Sequence, residues 1–479
     1  MKKYLSMAAA GLFLLSACSN DEEFINGNGS EADLTGQELV FKVASTGDGL
    51  TTRASRPLYS SEAGQTIDKV KIVIFSLGEN GAVGKCVYVK EYTEWSTNDG
   101  TNYGGINTSG ENDHGKYASL NLKKEISNET TSGLEPGDYM VYAVGYNGSS
   151  DQGDITPYGF TPSMDDLKVG YPETGTFSFV TANTKTKAEE IFAGSIAKIT
   201  VNKDRNFDIK TGGMNSNILY LHRQVAGTFG YFMNIPAVGP DGTAATHLHL
   251  VASCKNTDLQ MTKFNSGFRT TDDAKVQYMV NGTTPADADA KFAASTSGND
   301  AFTVYSIRLS DWFTGTPSMD VNGDGVLNGT DAENDGWKIP DTMKKHFNAI
   351  PGTVFGGEFV IPFLKKDAAR TFELQLINDN EGNVTILRSW TVALGKAQKG
   401  VANTVNDNKI ESEAVGTLEY SIVRNHLYTI GRKDFAKPEN PTEPEEPEEP
   451  EDLSKGQILT IRVNDNWEVL NKLVVEPEV

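Results

Sequence analysis

Gln457-Ile-Leu-Thr-Ile-Arg-Val463 stands by itself near the C-terminus, set off from the rest of the chain by the Pro/Glu run Pro438–Asp452. Leu459, Ile461 and Val463 alternate with Thr460 and Arg462, which is the period of a half-buried strand. A lone strand cannot bury that face or satisfy its own backbone, so it has to join a sheet. Pro-rich, acidic sequence favours an extended spacer rising about 3.1 Å per residue, which gives the run a reach of roughly 45 Å. The strand can therefore fold back on its own domain, the commoner fate, or complete the sheet of a neighbouring molecule.

The opposite end fixes the compartment. Lys2 and Lys3 precede an apolar run from Tyr4 to Leu15 that is too short to span a bilayer and ends Leu15-Ser16-Ala17-Cys18. Small residues before a cysteine form a bacterial lipoprotein signal over residues 1–18, with Cys18 lipidated and becoming the new N-terminus. Diacyl-plus-amide modification, with palmitate the expected acyl chain, satisfies the need for more than one chain in stable anchoring.

Composition points to an exported β protein. The 479 residues carry 47 Gly, 17 Tyr and 22 Phe, and no sustained helical period. A formal charge of −21 disfavours nucleic acid or an anionic membrane surface as partner. Beyond Cys18 only Cys86 and Cys254 remain, which is not a disulfide framework, and spacing leaves open whether they pair.

Alternating runs bounded by Gly, Asn and Asp predict strands at Lys69–Phe75, Lys85–Glu91, Asp138–Gly145 and Thr176–Thr181, a first β-sandwich over 54–213. A second set begins at Asn217–His222 and continues through Gly227–Met233, His247–Val251, Ala301–Arg308, Gly357–Pro362, Thr371–Ile377 and Arg424–Ile430, a second sandwich over 214–436. The Gly pair Gly212-Gly213 before Met214 marks the boundary, residues 437–456 the linker, and 457–479 the final segment. Helix is expected only in short crossovers.

One more strand pattern, Glu38–Ala44, lies upstream in residues 19–53 and is followed by a Gly/Thr/Ser stretch carrying Arg53-Ala54. An exposed Arg in a polar loop is a site for an Arg-specific protease, whereas Arg56 is followed by Pro57. Cutting after Arg53 would detach the lipid and free the upstream strand, leaving a sheet with an empty groove. A removable strand in front and a tethered strand behind fit β-augmentation between subunits, the precursor strand guarding against premature polymerisation.

On these residues the chain resembles the fimbrillins of Bacteroidetes type V pili, nearest the Mfa-type minor-fimbria shaft subunits. The resemblance rests on the lipobox, Arg53-Ala54, Ile191–Gly194, Leu221–Ala226, Ile422–Tyr428 and the tail Leu459–Val469. It implies two tandem transthyretin-like β-sandwich domains with a C-terminal donor-strand tail, hence an all-β fold. It also implies outer-membrane export as a lipoprotein, processing by a gingipain-like Arg-specific protease, and head-to-tail polymerisation with identical subunits and with anchor and tip fimbrial subunits. The donor strand would use Leu459, Ile461, Val463, Trp467 and Val469.

A separate motif, Asp320-Val-Asn-Gly-Asp-Gly-Val-Leu-Asn-Gly-Thr-Asp331, has the spacing of an EF-hand or dockerin calcium loop. Asp320, Asn322, Asp324, Asn328 and Asp331 place side-chain oxygens, Val326 offers a carbonyl, and Leu327 pins the loop to the core. The expected cofactor is structural Ca2+.

Other groups say less. His247 and His249 share a strand face without a third ligand, and His222 and His426 fall inside strand patterns. No nucleophile elbow, phosphate loop or HExxH is present, so an enzyme is not expected. Trp95, Tyr103, Trp312 and Trp337 would form a sugar platform only if gathered in space. The competing reading is a surface glycan-binding lipoprotein, which leaves the tethered strand and the Arg53 loop unexplained. The sequence therefore favours a fimbrial subunit serving adhesion and biofilm formation.

Overall fold

A computed structural model describes residues 36–43, 69–93, 101–103, 115–127, 132–146, 158–173, 180–184, 188–208, 217–252, 254–256, 258–261, 282, 286–287, 303–340, 349–363, 372–394, 422, 424, 427–431, 449–455 and 458–464. Two large sheets dominate, and the described helices are single turns such as Leu122–Glu125 and Gly329–Glu333. No described helix is long and apolar enough to cross a membrane.

The first sheet runs, edge to edge, Val83–Tyr92, Lys69–Leu77, Gly137–Tyr146, Ile191–Val201, Ile218–Arg223, Glu38–Val43, Gly115–Asn121 and Thr101–Tyr103. Lys69–Leu77, next to one edge strand, is buried on both faces, which is why its sequence is nearly continuous apolar residues rather than a clean alternation. Val70, Ile72 and Ile74 face one core, where the sheet curls so that Phe41 meets Tyr92 with ring centroids 5.9 Å apart. Val73 and Phe75 face another, closed by Leu259, Met261 and Ile361 from later in the chain.

The second sheet runs Thr303–Arg308, His247–Ala252, Phe372–Asn380, Asn383–Leu394, Leu459–Asn464, Leu427–Ile430, Ala226–Met233 and Val354–Val360. It curls about Phe229, Tyr231, Trp312, Phe355 and Leu376, and its two edge strands pack together. A Cβ at Gly356 would lie 2.6 Å from Ile307 Cγ1, so that close approach requires glycine.

The structure changes three expectations. The strand assigned by spacing to the start of the second set, Ile218–Arg223, lies inside the first sheet, pairing with Ile191–Val201 and with Glu38–Val43. The chain crosses between sheets at Gln224-Val225, where no Gly or Pro signals a turn. Of the expected 176–181 strand, residues 176–179 lie outside the described residues; Val180–Thr184 is a strand paired with Tyr158–Thr161 and with Asp258–Met261, in a small sheet that also links the halves. The Pro/Glu run is not a free spacer throughout: Glu451–Asp452 pairs in parallel with Phe232–Met233.

Asn383–Leu394, the longest strand, has no counterpart among the expected ones. Its hairpin turn has Glu381 at φ 52° and Gly382 at φ 89°, the conformation usually signalled by Asn-Gly. A register shift beside Ile386 also breaks its alternation.

Candidate functional site

The two strands singled out at the chain ends are both interior strands. Glu38–Val43 fills a slot in the first sheet, parallel to Ile218–Arg223 on one side and antiparallel to Gly115–Asn121 on the other. Leu39 and Phe41 are fully buried in that slot. Gln37 locks its start: the side chain donates to the carbonyls of Leu134 (2.9 Å) and Arg205 (3.0 Å) and accepts from Leu134 N–H (2.6 Å).

The tail strand Leu459–Asn464 fills a slot of the same polarity in the second sheet. It runs parallel to Asn383–Leu394 and antiparallel to Leu427–Ile430. Leu459 is fully buried while its neighbour Ile458 is exposed, as the alternation requires. Ile461 is in register with Leu394, and Val463 with Tyr428. In the isolated chain the tail thus folds back on its own sheet. Trp467 and Val469, like Cys18, Arg53 and Ala54, lie outside the described residues.

A match between these strands emerges only once they are laid in their slots. Gln37-Glu-Leu-Val-Phe-Lys-Val43 and Gln457-Ile-Leu-Thr-Ile-Arg-Val463 agree at Gln, Leu and the final Val, with a basic residue before that Val in both. The signal was present in the sequence as a short internal repeat.

The calcium-type loop is closed by its own hydrogen bonds. Asp320 accepts from the N–H groups of Gly323 (2.7 Å) and Gly325 (2.8 Å), and Asp324 Oδ1 from Val326 N–H (2.8 Å). Asn322 and Asn328 both donate to Asp324 Oδ2 at 3.0 Å. Burial works to raise the Asp324 carboxyl, but these hydrogen bonds hold it below its ordinary value. Asp331 is fully buried within the helical turn Gly329–Glu333 and completes its capping box by accepting from the Asn328 N–H, while its other oxygen accepts from Val321 N–H. Leu327 is buried as expected, in a two-residue strand against Ile235-Pro236. Among the described residues no group of three His, Cys, Asp or Glu side chains is gathered as metal ligands.

His247 and His249 are packed against one another in the second sheet. His247 is half-buried and its imidazole is 5.8 Å from that of His249, which is 2% exposed. Burial, reinforced by the neighbouring His247, pushes His249 down to about 4 and keeps it neutral. Trp312 and Trp337 pack 6.4 Å apart, with Trp312 1% exposed and so not available as a sugar platform, and Trp337 partly buried and donating to the Thr353 carbonyl; Trp95 and the Tyr103 side chain lie outside the described residues. Cys86 is a free buried thiol, raised by burial to about 11 and correspondingly unreactive.

Sequence reasoning missed a buried ion pair at the crossover. Arg223 donates from Nε (2.9 Å) and Nη2 (2.6 Å) to Glu190 Oε1, and both residues are fully buried. The Arg223 guanidinium lies over Phe192 at 5.1 Å, and Arg424 donates to the Arg223 carbonyl. Nothing in the spacing of Glu190 and Arg223 marks them, because strand pairing alone brings them together.

No family model and no curated protein matches the chain. The chain matches solved structures of fimbrial proteins. One is a fimbrial assembly protein from Parabacteroides distasonis, 14% identical, covering 84% of this chain and 92% of that one with a TM-score of 0.31. Another is the fimbrial anchor protein Mfa2 from Porphyromonas gingivalis, 9% identical, covering 76% and 82% with a TM-score of 0.30.

Proposed function

We propose that the protein is a structural subunit of a surface fimbrium, exported as a lipoprotein on Cys18, opened by cleavage after Arg53 and polymerised by donation of its tail. The observation that carries this reading is the pair of interior strands with matching residues in slots of matching polarity. A donated tail would enter the emptied first sheet in the direction of the strand it replaces. Leu459 would lie where Leu39 lay, Ile461 where Phe41 lay, and Gln457 would meet the Leu134 and Arg205 groups that Gln37 satisfied. Such partners matter because buried backbone groups are costly to leave unpaired.

Anchor and tip subunits would terminate the same joint, and the product is a cell-surface fimbrium acting in adhesion and biofilm formation rather than in catalysis.

The test treats signal-less protein with an Arg-specific protease and follows ladders on unboiled denaturing gels and filaments by electron microscopy. Ladders are expected to need both cleavage at Arg53 and an intact Gln457–Val479. Cleaved full-tail protein that stays monomeric overturns the mechanism.

Calcium at the Asp320–Asp331 loop is the second part of the proposal. Asp320, Asn322, Asp324, the Val326 carbonyl, Asn328 and Asp331 would hold it, with Asp331 exchanging its two backbone hydrogen bonds for the ion. Its role would be to stiffen the loop. Millimolar Ca2+ is expected to raise Tm by several degrees through mass action and Asp324→Ala to abolish the shift. A Tm indifferent to Ca2+ and chelator would remove the ion from the account.

A further inference from the structure

The acidic run between the second sheet and the tail ends in a built clasp. Glu451-Asp452 pairs in parallel with Phe232-Met233, and Leu453 donates its N–H to the Met233 carbonyl at 3.0 Å. Leu453 is fully buried in the second core beside Leu459 and Ile430. The Asp452 carboxylate accepts from Ser454 N–H (3.0 Å) and Oγ (2.7 Å) and pairs with Lys455 at 3.1 Å. Gly431 completes the fit: at φ 72° it lets the run pass so closely that a Cβ would lie 2.6 Å from the Tyr231 carbonyl oxygen and 3.0 Å from that of Glu449.

The clasp's backbone pairing is separate from the tail's: the clasp grips Ala226–Met233 at its end away from the crossover, whereas the tail lies between Asn383–Leu394 and Leu427–Ile430. Leu453 shares the second core with Leu459, but the bonds that hold the clasp run to Met233 and within the clasp itself, so they can persist when the tail leaves.

We propose that the clasp Glu451–Leu453 remains docked when the tail is donated, so that the tail pivots at Ser454 and the joint between subunits is a direct end-to-end contact of two copies of this chain. This rests on the strand-donation reading and adds its geometry. From Leu453 to Leu459 the chain spans at most about 20 Å. With the clasp closed, the end of the donor's second sheet bearing Met233 and Gly431 must abut the end of the acceptor's first sheet where the front strand starts. That end carries Leu122, Leu134, Arg205 and Phe207, which bond to Gly36 or Gln37 in the uncleaved chain. Were the clasp to open, residues 432–458 would form a loose string with a reach of roughly 80 Å. The clasp distinguishes a stiff shaft from beads on a tether.

The test compares two disulfide locks in the full chain after protease treatment. Met233→Cys with Asp452→Cys joins register partners and shuts the clasp; Thr429→Cys with Arg462→Cys joins register partners and pins the tail to its own sheet. The oxidised clasp lock is expected to form ladders within twofold of the reduced rate, and the oxidised tail lock to form none until reduced. A clasp lock that polymerises only on reduction overturns the pivot while leaving strand donation intact. A tail lock that polymerises while oxidised overturns donation of this strand. Hydrogen exchange over 449–455 in wild-type filaments gives an independent readout: protection equal to the monomer's is expected, and its loss sinks the pivot even if a cysteine variant misfolds.

Discussion

Glu190→Ala is expected to cost about 3–5 kcal/mol of folding stability, the range for removing one partner of a buried ion pair. The carboxylate receives two charge-assisted hydrogen bonds from Arg223, and neither residue is exposed. Arginine keeps its charge, so the variant must hold a guanidinium in the protein interior or open the crossover to let water reach it. Opening is expensive there, because Gln224 donates to the Ile191 carbonyl and Arg424 donates to the Arg223 carbonyl across the same joint. Replacing both partners, Glu190→Leu with Arg223→Met, removes the stranded charge and should recover most of the loss. Urea midpoints of the single and double variants decide it. A single variant within 1 kcal/mol of wild type would mean that water already reaches the pair.

The same crossover shows why parts of the fold were legible in the sequence and others were not. Lys69–Leu77, Gly137–Tyr146 and His247–Ala252 announce themselves because each strand's own burial writes a local pattern of apolar residues. Sheet membership is a different matter. Ile218–Arg223 has the same local pattern whichever sheet it joins, and its place beside the front strand is set by pairing over nearly two hundred residues of sequence. The tail was legible as a strand from Leu459, Ile461 and Val463, yet not its slot, since a pairing partner leaves no mark on period. The clasp was hidden by composition: Leu453 is the one apolar residue closing a run of Pro and Glu, and that residue is the one that buries. The calcium-type loop shows the reverse case. Its spacing is complete in the sequence, while the folded loop turns the same oxygens to its own backbone amides.

Phe41→Ala in the uncleaved chain is expected to loosen the front strand by about 3–5 kcal/mol, the usual cost of emptying a buried phenylalanine site. Phe41 is fully buried, faces Tyr92 edge-on and lies in the core formed where the first sheet curls over itself. Leu39 and the Gln37 hydrogen bonds remain, so the strand is weakened rather than lost. At 1.4 kcal/mol per tenfold, the population with an open slot rises by roughly two to three orders of magnitude. Under the strand-donation proposal a neighbour's tail would compete for that slot, so the uncleaved variant should form ladders slowly without protease, where the wild-type precursor should form none. The filament gives the opposite result. If cleavage after Arg53 discards residue 41 with the rest of the front strand, as proposed, filaments from the cleaved variant should melt as wild-type filaments do. The contrast between a weakened precursor and an unchanged filament separates strand replacement from polymerisation by surface contacts. If the variant filament melts as early as the variant precursor, Phe41 is still in its slot after assembly and the tail has not taken its place.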